Sequence, residues 1–102
     1  METGKEIIKR TVRTIPNKPG VYRMLDKNKD IIYVGKAKNL SKRVKSYASK
    51  NIGNKRIEKM VNLIHEVEFT TTDSEENALL LEVNLIKLHK PKYNILMRDD
   101  KS

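Results

Sequence analysis

An α+β domain, a three-stranded antiparallel sheet flanked by helices, is predicted by three features of this 102-residue sequence. Two apolar runs, Val21–Leu25 and Ile31–Val34, are joined by the polar connection Asp26–Asp30, the pattern of a β-hairpin with a longer loop. A third run, Glu66–Thr71, alternates polar and apolar residues as a half-buried strand does. Helical spacing fills most of the rest, and short connections favour an antiparallel sheet covered by helices. The length suits one modest core, with no repeat or second domain.

Residues 1–14 form a polar leading segment in which Ile7, Ile8 and Val12 give a weak helical pattern. Pro16, Pro19 and Gly20 punctuate the chain ahead of the first strand. In the second strand the two-residue period puts Tyr33 on the face of Ile31, opposite Ile32 and Val34. Gly35 then leads into a lysine-rich turn. Asn39 is placed to cap a helix whose stripe is Leu40, Val44, Tyr47 and Ala48, with Arg43 on its flank and Lys42 and Lys45 projecting away.

After a break at Gly53 and Asn54, the spacing of Ile57, Met60, Val61 and Ile64 predicts a second helix. In the third strand Val67 and Phe69 face the core. Thr72, Asp73 and Ser74, followed by Glu75 and Glu76, offer overlapping capping boxes to a long helix from Ser74 to Lys90. Pro91 stops it, and Tyr93-Asn94-Ile95 is expected to return in extended form.

Charge is concentrated. Between Asp30 and Glu58 stand eight cations (Lys36, Lys38, Lys42, Arg43, Lys45, Lys50, Lys55, Arg56) and no acid, against a net charge of +9 for the chain. Such a field around a strand-to-helix corner suits a polyanion such as a nucleic-acid backbone, although a solvated lysine-rich surface has the same composition. No cysteine is present, and no apolar run exceeds four residues. Disulfides, thiolate metal sites and a membrane span are thereby excluded, and a cytosolic protein is expected. The ending Arg98–Ser102 lacks a terminator, as in a fragment of something longer.

Glu82 is the most informative residue of the long helix. At about 100° per residue it falls between Ala78 and Ile86, inside the apolar face, while Leu80, Asn84 and Lys87 occupy the far side. A carboxylate there needs a cation or a metal ion. The common outcome is a salt bridge to one of the 22 basic residues. No second ligand stands at zinc spacing, and His89 is more often a structural hydrogen-bonder. Magnesium or manganese, which need only one or two carboxylates, stay open.

Gly20-Val21-Tyr22, Tyr33-Val34-Gly35-Lys36, Arg43, Glu82 and Pro91-Lys92-Tyr93-Asn94, in that order, resemble the GIY-YIG nuclease family. The runs YVGKAKNLSKRVKSY, ALLLEVNLIK and KPKYNILMRDDKS are similar to its UvrC branch, the amino-terminal domains of the incision subunit of bacterial nucleotide excision repair. They fit the homing and structure-specific branches less well. The resemblance spans residues 15–102 and implies a GIY-YIG nuclease domain there, with the same α+β fold.

Residue by residue, it implies that Tyr33 is the general base or positions the attacking water. Tyr22 and Tyr47 would line the pocket, Lys36 and Arg43 would bind the phosphate, and Asn94 would order the site. Glu82 would hold one divalent cation, Mg2+ or Mn2+. Lys38, Lys42 and Lys45 would join Lys36 and Arg43 against DNA. The implied substrate is damaged DNA cut on the 3′ side of the lesion, within the excinuclease of the SOS response. UvrB is the implied partner of the full-length protein, and a monomer is expected. Asn77, where an acid is commoner, and Ala48, where an aromatic is, depart from the pattern outside this set.

The chemistry is coherent. Phosphodiester hydrolysis needs an activated water, positive charge on the phosphoryl oxygens and help for the departing 3′ oxygen. A free tyrosine ionises at about pH 10, so the cation-rich segment is expected to favour the Tyr33 phenolate. The competing reading is a non-catalytic basic module that grips nucleic acid. Both explain the charge, but only the nuclease explains a carboxylate on the apolar face of a helix together with tyrosines flanking Lys36 and Arg43.

Overall fold

The computed structural model describes residues 2–49 and 53–99. Its elements are α1 (Gly4–Val12), β1 (Gly20–Leu25), β2 (Ile31–Ala37), α2 (Leu40–Ser46), α3 (Lys55–Leu63), β3 (Glu66–Thr71), α4 (Glu75–His89) and α5 (Lys92–Asp99). The strands form one antiparallel sheet in the order β2-β1-β3. The expected α+β class is what the chain adopts.

Each face of the sheet is covered. On one, Tyr22, Met24 and Val67 pack with Ile7 and Ile8 of α1, Leu40 and Val44 of α2, and Met60 and Val61 of α3. On the other, Val21 and Val34 meet Ala78, Leu81, Leu85 and Ile86 of α4. The central strand β1 is accordingly buried at Val21, Tyr22, Met24 and Leu25. Its one long polar side chain, Arg23, lies across β3, with Nε 3.4 Å from Glu68 and Nη1 donating to Thr70 at 3.1 Å.

Local chemistry sets the boundaries. In the hairpin, Asp26 Oδ1 accepts from the N–H groups of Asn28 and Asp30 at 2.9 and 3.0 Å, and Lys29 takes a left-handed φ of 66°. Asn39 caps α2 by accepting from Lys42 N at 3.1 Å, Asn54 caps α3, and Ser74 caps α4 by accepting from Asn77 N. The reciprocal half of a capping box is missing in α4, because the third helical residue is Asn77 rather than Glu. A complete box closes α1 instead, between Thr3 and Glu6.

Three sequence expectations are corrected. Tyr93-Asn94-Ile95 is helical, not extended: Lys90 turns left-handed at φ 45°, Pro91 follows, and α5 begins at once. Proline lacks only an N–H that the first helical turn leaves unused, so it ends one helix and opens the next. Second, β2 does not end at Val34 but runs through Gly35 and Lys36 to Ala37. Third, Met24 pairs with Tyr33 while Leu25 pairs with Ile31, so Ile32 is the extra residue of a bulge. The bulge inverts the two-residue period. Ile32 therefore joins the core on Tyr33's side, and Ile31 goes with Val34.

Candidate active site

Register brings the tyrosines together. Tyr22 of β1 lies opposite Gly35 of β2, and Tyr33 stands two residues before Gly35 on the same face. A Cβ at Gly35 would fall 2.5 Å from Tyr22 Cζ, so the absent side chain is the space the Tyr22 ring occupies. Tyr47, at the end of α2, closes the group from above. Its hydroxyl is 2.7 Å from that of Tyr22, and the Tyr22 ring centroid is 6.1 Å from that of Tyr33 and 5.9 Å from that of Tyr47.

Arg43, one turn earlier on α2, lies with its guanidinium 5.3 Å from the Tyr47 ring centroid. Burial works against the cation, but the Tyr22, Tyr47 and Tyr33 oxygens outweigh it and hold the Arg43 pKa above its ordinary value. The tyrosines behave in the opposite sense to the sequence expectation. Burial first, then Tyr47, pushes Tyr33 up to about 12, with Arg43 pulling down and Glu82 adding to the rise. Tyr22, more deeply buried, is held well above the ordinary phenol value. The cost of desolvating a phenolate thus exceeds the attraction of the nearby cations.

The outer edge of β2 is the second half of the site. In an edge strand, alternate N–H and C=O groups point away from the sheet and need partners. Asn94 of α5 supplies a matched pair at Val34, its Oδ1 accepting from Val34 N and its Nδ2 donating to Val34 O, both at 2.8 Å. Two residues on, Glu82 Oε2 accepts from Lys36 N at 2.9 Å. The common salt-bridge outcome for Glu82 is not realised among the described residues. Its second oxygen, Oε1, has no protein partner among them.

The donor set limits the ion that fits. Among the described residues there is no group of three or more His, Cys, Asp or Glu. One half-buried carboxylate with an unused oxygen suits a hard cation that retains most of its waters, and does not suit zinc.

The other candidates spread over the surface. Lys36 projects its exposed side chain from β2, and Lys38 reaches Glu75 at 4.0 Å with both side chains exposed. Lys42 and Lys45 leave α2 away from Arg43 and line a different cleft. The tyrosines, Arg43, Glu82 and Asn94 are therefore brought together, whereas Lys42 and Lys45 are not part of that cluster. The sequence did not expose the work of Gly35, of the Lys36 N–H or of the Val34 peptide. The only signal for them was the hairpin register.

A family model described as the UvrC-like GIY-YIG domain matches residues 18–95, beginning after α1. The chain belongs to that family. It is a GIY-YIG nuclease domain of the UvrC type. It is 55% identical over 95 residues to the UvrABC system protein C of Psychrobacter sp. (strain PRwf-1), covering 93% of this chain and 16% of that protein. With the same protein of Haemophilus ducreyi it shares 58% over 88 residues, 86% of this chain and 14% of the other. The chain thus spans about a sixth of the length of the curated relatives it matches.

Among solved structures it is similar to the GIY-YIG N-terminal endonuclease domain of UvrC from Thermotoga maritima, bound to its catalytic divalent cation, magnesium. The TM-score is 0.78 at 35% identity, over 91% of this chain and 98% of the other. Tyrosine-to-phenylalanine and asparagine-to-alanine point mutants of that domain match equally well, each bound to the cation.

In this UvrC-type domain, the two halves of the site arise from different parts of the fold. The hairpin and α2 carry the tyrosines and Arg43, and α4 and α5 bring Glu82 and Asn94 to the free edge of β2. No helix among the described residues is long and apolar enough to cross a membrane.

Proposed function

We propose that this domain is a divalent-metal-dependent endodeoxyribonuclease that hydrolyses one phosphodiester bond of damaged DNA, on the 3′ side of the lesion, in nucleotide excision repair. The observation that carries the reading is the meeting, at one end of β2, of Glu82 on the Lys36 N–H with the three tyrosine hydroxyls beneath Arg43. A grip on nucleic acid alone needs neither a half-buried carboxylate nor a cluster of desolvated phenols.

In this reading Glu82 holds one ion, Mg2+ or Mn2+, through Oε1, while its bond to Lys36 N fixes the carboxylate. The bound ion supplies Lewis-acid stabilisation of charge on the phosphoryl and leaving 3′ oxygens. Arg43 and the Lys36 ammonium place positive charge on the phosphate oxygens. Tyr33, kept protonated at neutral pH by burial, aligns the attacking water through its hydroxyl, and Tyr47 and Tyr22 fix that hydroxyl's direction. The water oxygen bonds to phosphorus and gives up one proton, the bond from phosphorus to the 3′ oxygen breaks, and the 3′ oxygen takes up one proton in its place, so that one water is divided between the two products. Asn94 keeps the Val34 peptide, next to Tyr33, in register. The domain acts as a monomer within a longer cytoplasmic protein that works with UvrB. Lys38, Lys42 and Lys45 add contacts to the DNA backbone.

The test is a comparison of two kinds of variant in the reconstituted incision reaction on a lesion-bearing duplex. Glu82→Ala should lower the 3′ incision rate by at least a thousandfold while DNA affinity and its salt dependence stay within twofold of wild type. Lys42→Ala with Lys45→Ala should weaken binding at all sequences and flatten the salt dependence by about 0.9 per phosphate contact. Equal losses of binding from both would instead make this a binding module.

A further inference from the structure

The leading helix α1 precedes the residues matched by the family, and the surface it builds is separate from the tyrosine cluster. Ile7 and Ile8 join Leu40 and Val44 of α2 in one core, and this packing brings Lys9 to Lys42 and Lys45. Together with Ser46, Ala48 and Ser49 these lysines line an open cleft of about 420 Å³ in which no acidic residue takes part. The next cation of α1, Arg10, is held by Glu2 at 3.0 Å, whereas Lys9 forms no ion pair among the described residues.

Three exposed lysines from two elements border one cleft with no acid among them, so an anion lying there offsets their mutual repulsion. The cleft and the tyrosine cluster are served by different sides of α2, because Arg43 faces the phenols and Lys42 and Lys45 face α1. An α-helix with side chains is about 10–12 Å across. Phosphates on one strand of duplex DNA advance about 3.4 Å per nucleotide along the axis.

We propose that the α1–α2 cleft holds a backbone phosphate of the strand being cut, about three nucleotides from the phosphate at Arg43 by the spacing above, with Lys9 as its contact from α1. The inference rests on the nuclease reading and extends it: α1 lengthens the DNA track beyond the catalytic cluster and is blind to base sequence.

The experiment is fluorescence anisotropy with a labelled duplex in EDTA, over a salt series, for the wild type, Lys9→Ala and Arg13→Ala. Arg13 is an exposed cation at the end of α1 that does not line the cleft. Lys9→Ala should lower the slope of log affinity against log salt by about 0.9, which is about an eightfold loss at 0.1 M salt. Arg13→Ala should change affinity less than twofold. On a lesion-bearing duplex, where the reconstituted complex fixes the incised bond, a single neutral methylphosphonate moved along the cut strand should weaken wild-type binding about three nucleotides from that bond and have no further effect in Lys9→Ala.

Equal effects of Lys9→Ala and Arg13→Ala would overturn the cleft contact, as would an unchanged slope. If the wild type still binds manganese at Glu82 in that case, the nuclease reading stands and only this inference falls. A wild type that binds no DNA removes both.

Discussion

Tyr33 is where the charge argument from sequence and the folded environment diverge. Cations near in sequence predicted a phenolate, but three tyrosines pack against one another beneath a single arginine, and burial pushes Tyr33 up to about 12. The sign of the resulting pH dependence is fixed. The folded pKa lies above the ordinary value of 10.0, so the folded chain binds the proton more tightly than the unfolded chain. The stabilisation is fully present below about pH 10 and is lost as pH rises towards 12. In metal-free buffer, Tyr33→Phe should therefore lose stability less steeply than wild type between those values, measured by urea unfolding at a series of pH values. Parallel curves would mean that the Tyr33 hydroxyl is not desolvated. Glu82, by contrast, was legible from the helical wheel alone: its direction was right, and its partner, a strand N–H rather than a lysine, needed the fold.

The edge strand β2 depends on α5 to a degree that its length does not suggest. Asn94 is the only side chain described as bonding both the N–H and the C=O of Val34. Asn94→Ala leaves both groups part-buried without these partners, and a cost of about 1–3 kcal/mol is expected. Asn94→Asp keeps the acceptor for Val34 N but sets a carboxylate oxygen against Val34 O, so it should not restore stability. Thermal unfolding of both variants checks this. An Asn94→Asp protein as stable as wild type would contradict the paired geometry.

The same element shows why parts of the fold were hidden. Tyr93, Leu96 and Met97 have helical spacing and all reach the main core, yet Pro91 drew attention as a terminator. Likewise Thr3 and Glu6 spell a capping box that marks α1. The bulge at Ile32 left no signal, because an inserted residue changes parity without changing composition. The capped helices and the hairpin, whose boundaries are set by Asn39, Asn54, Ser74 and Asp26, could be read from local chemistry alone.

For the whole molecule, a net charge of +9 on a sheet covered on both faces suits the proposed approach to a polyanion. Binding should therefore weaken steeply with salt, while chemistry should hang on one carboxylate. The central claim is that Glu82 holds the divalent ion beside the tyrosine cluster. The most direct measurement is anomalous diffraction from crystals soaked in manganese, with Glu82→Ala as the control. The account predicts one peak within about 2–2.5 Å of Glu82 Oε1, on the side of Tyr33 and Arg43, and none in the variant. A wild-type site that stays empty at saturating manganese, or an ion that persists in Glu82→Ala, would contradict it.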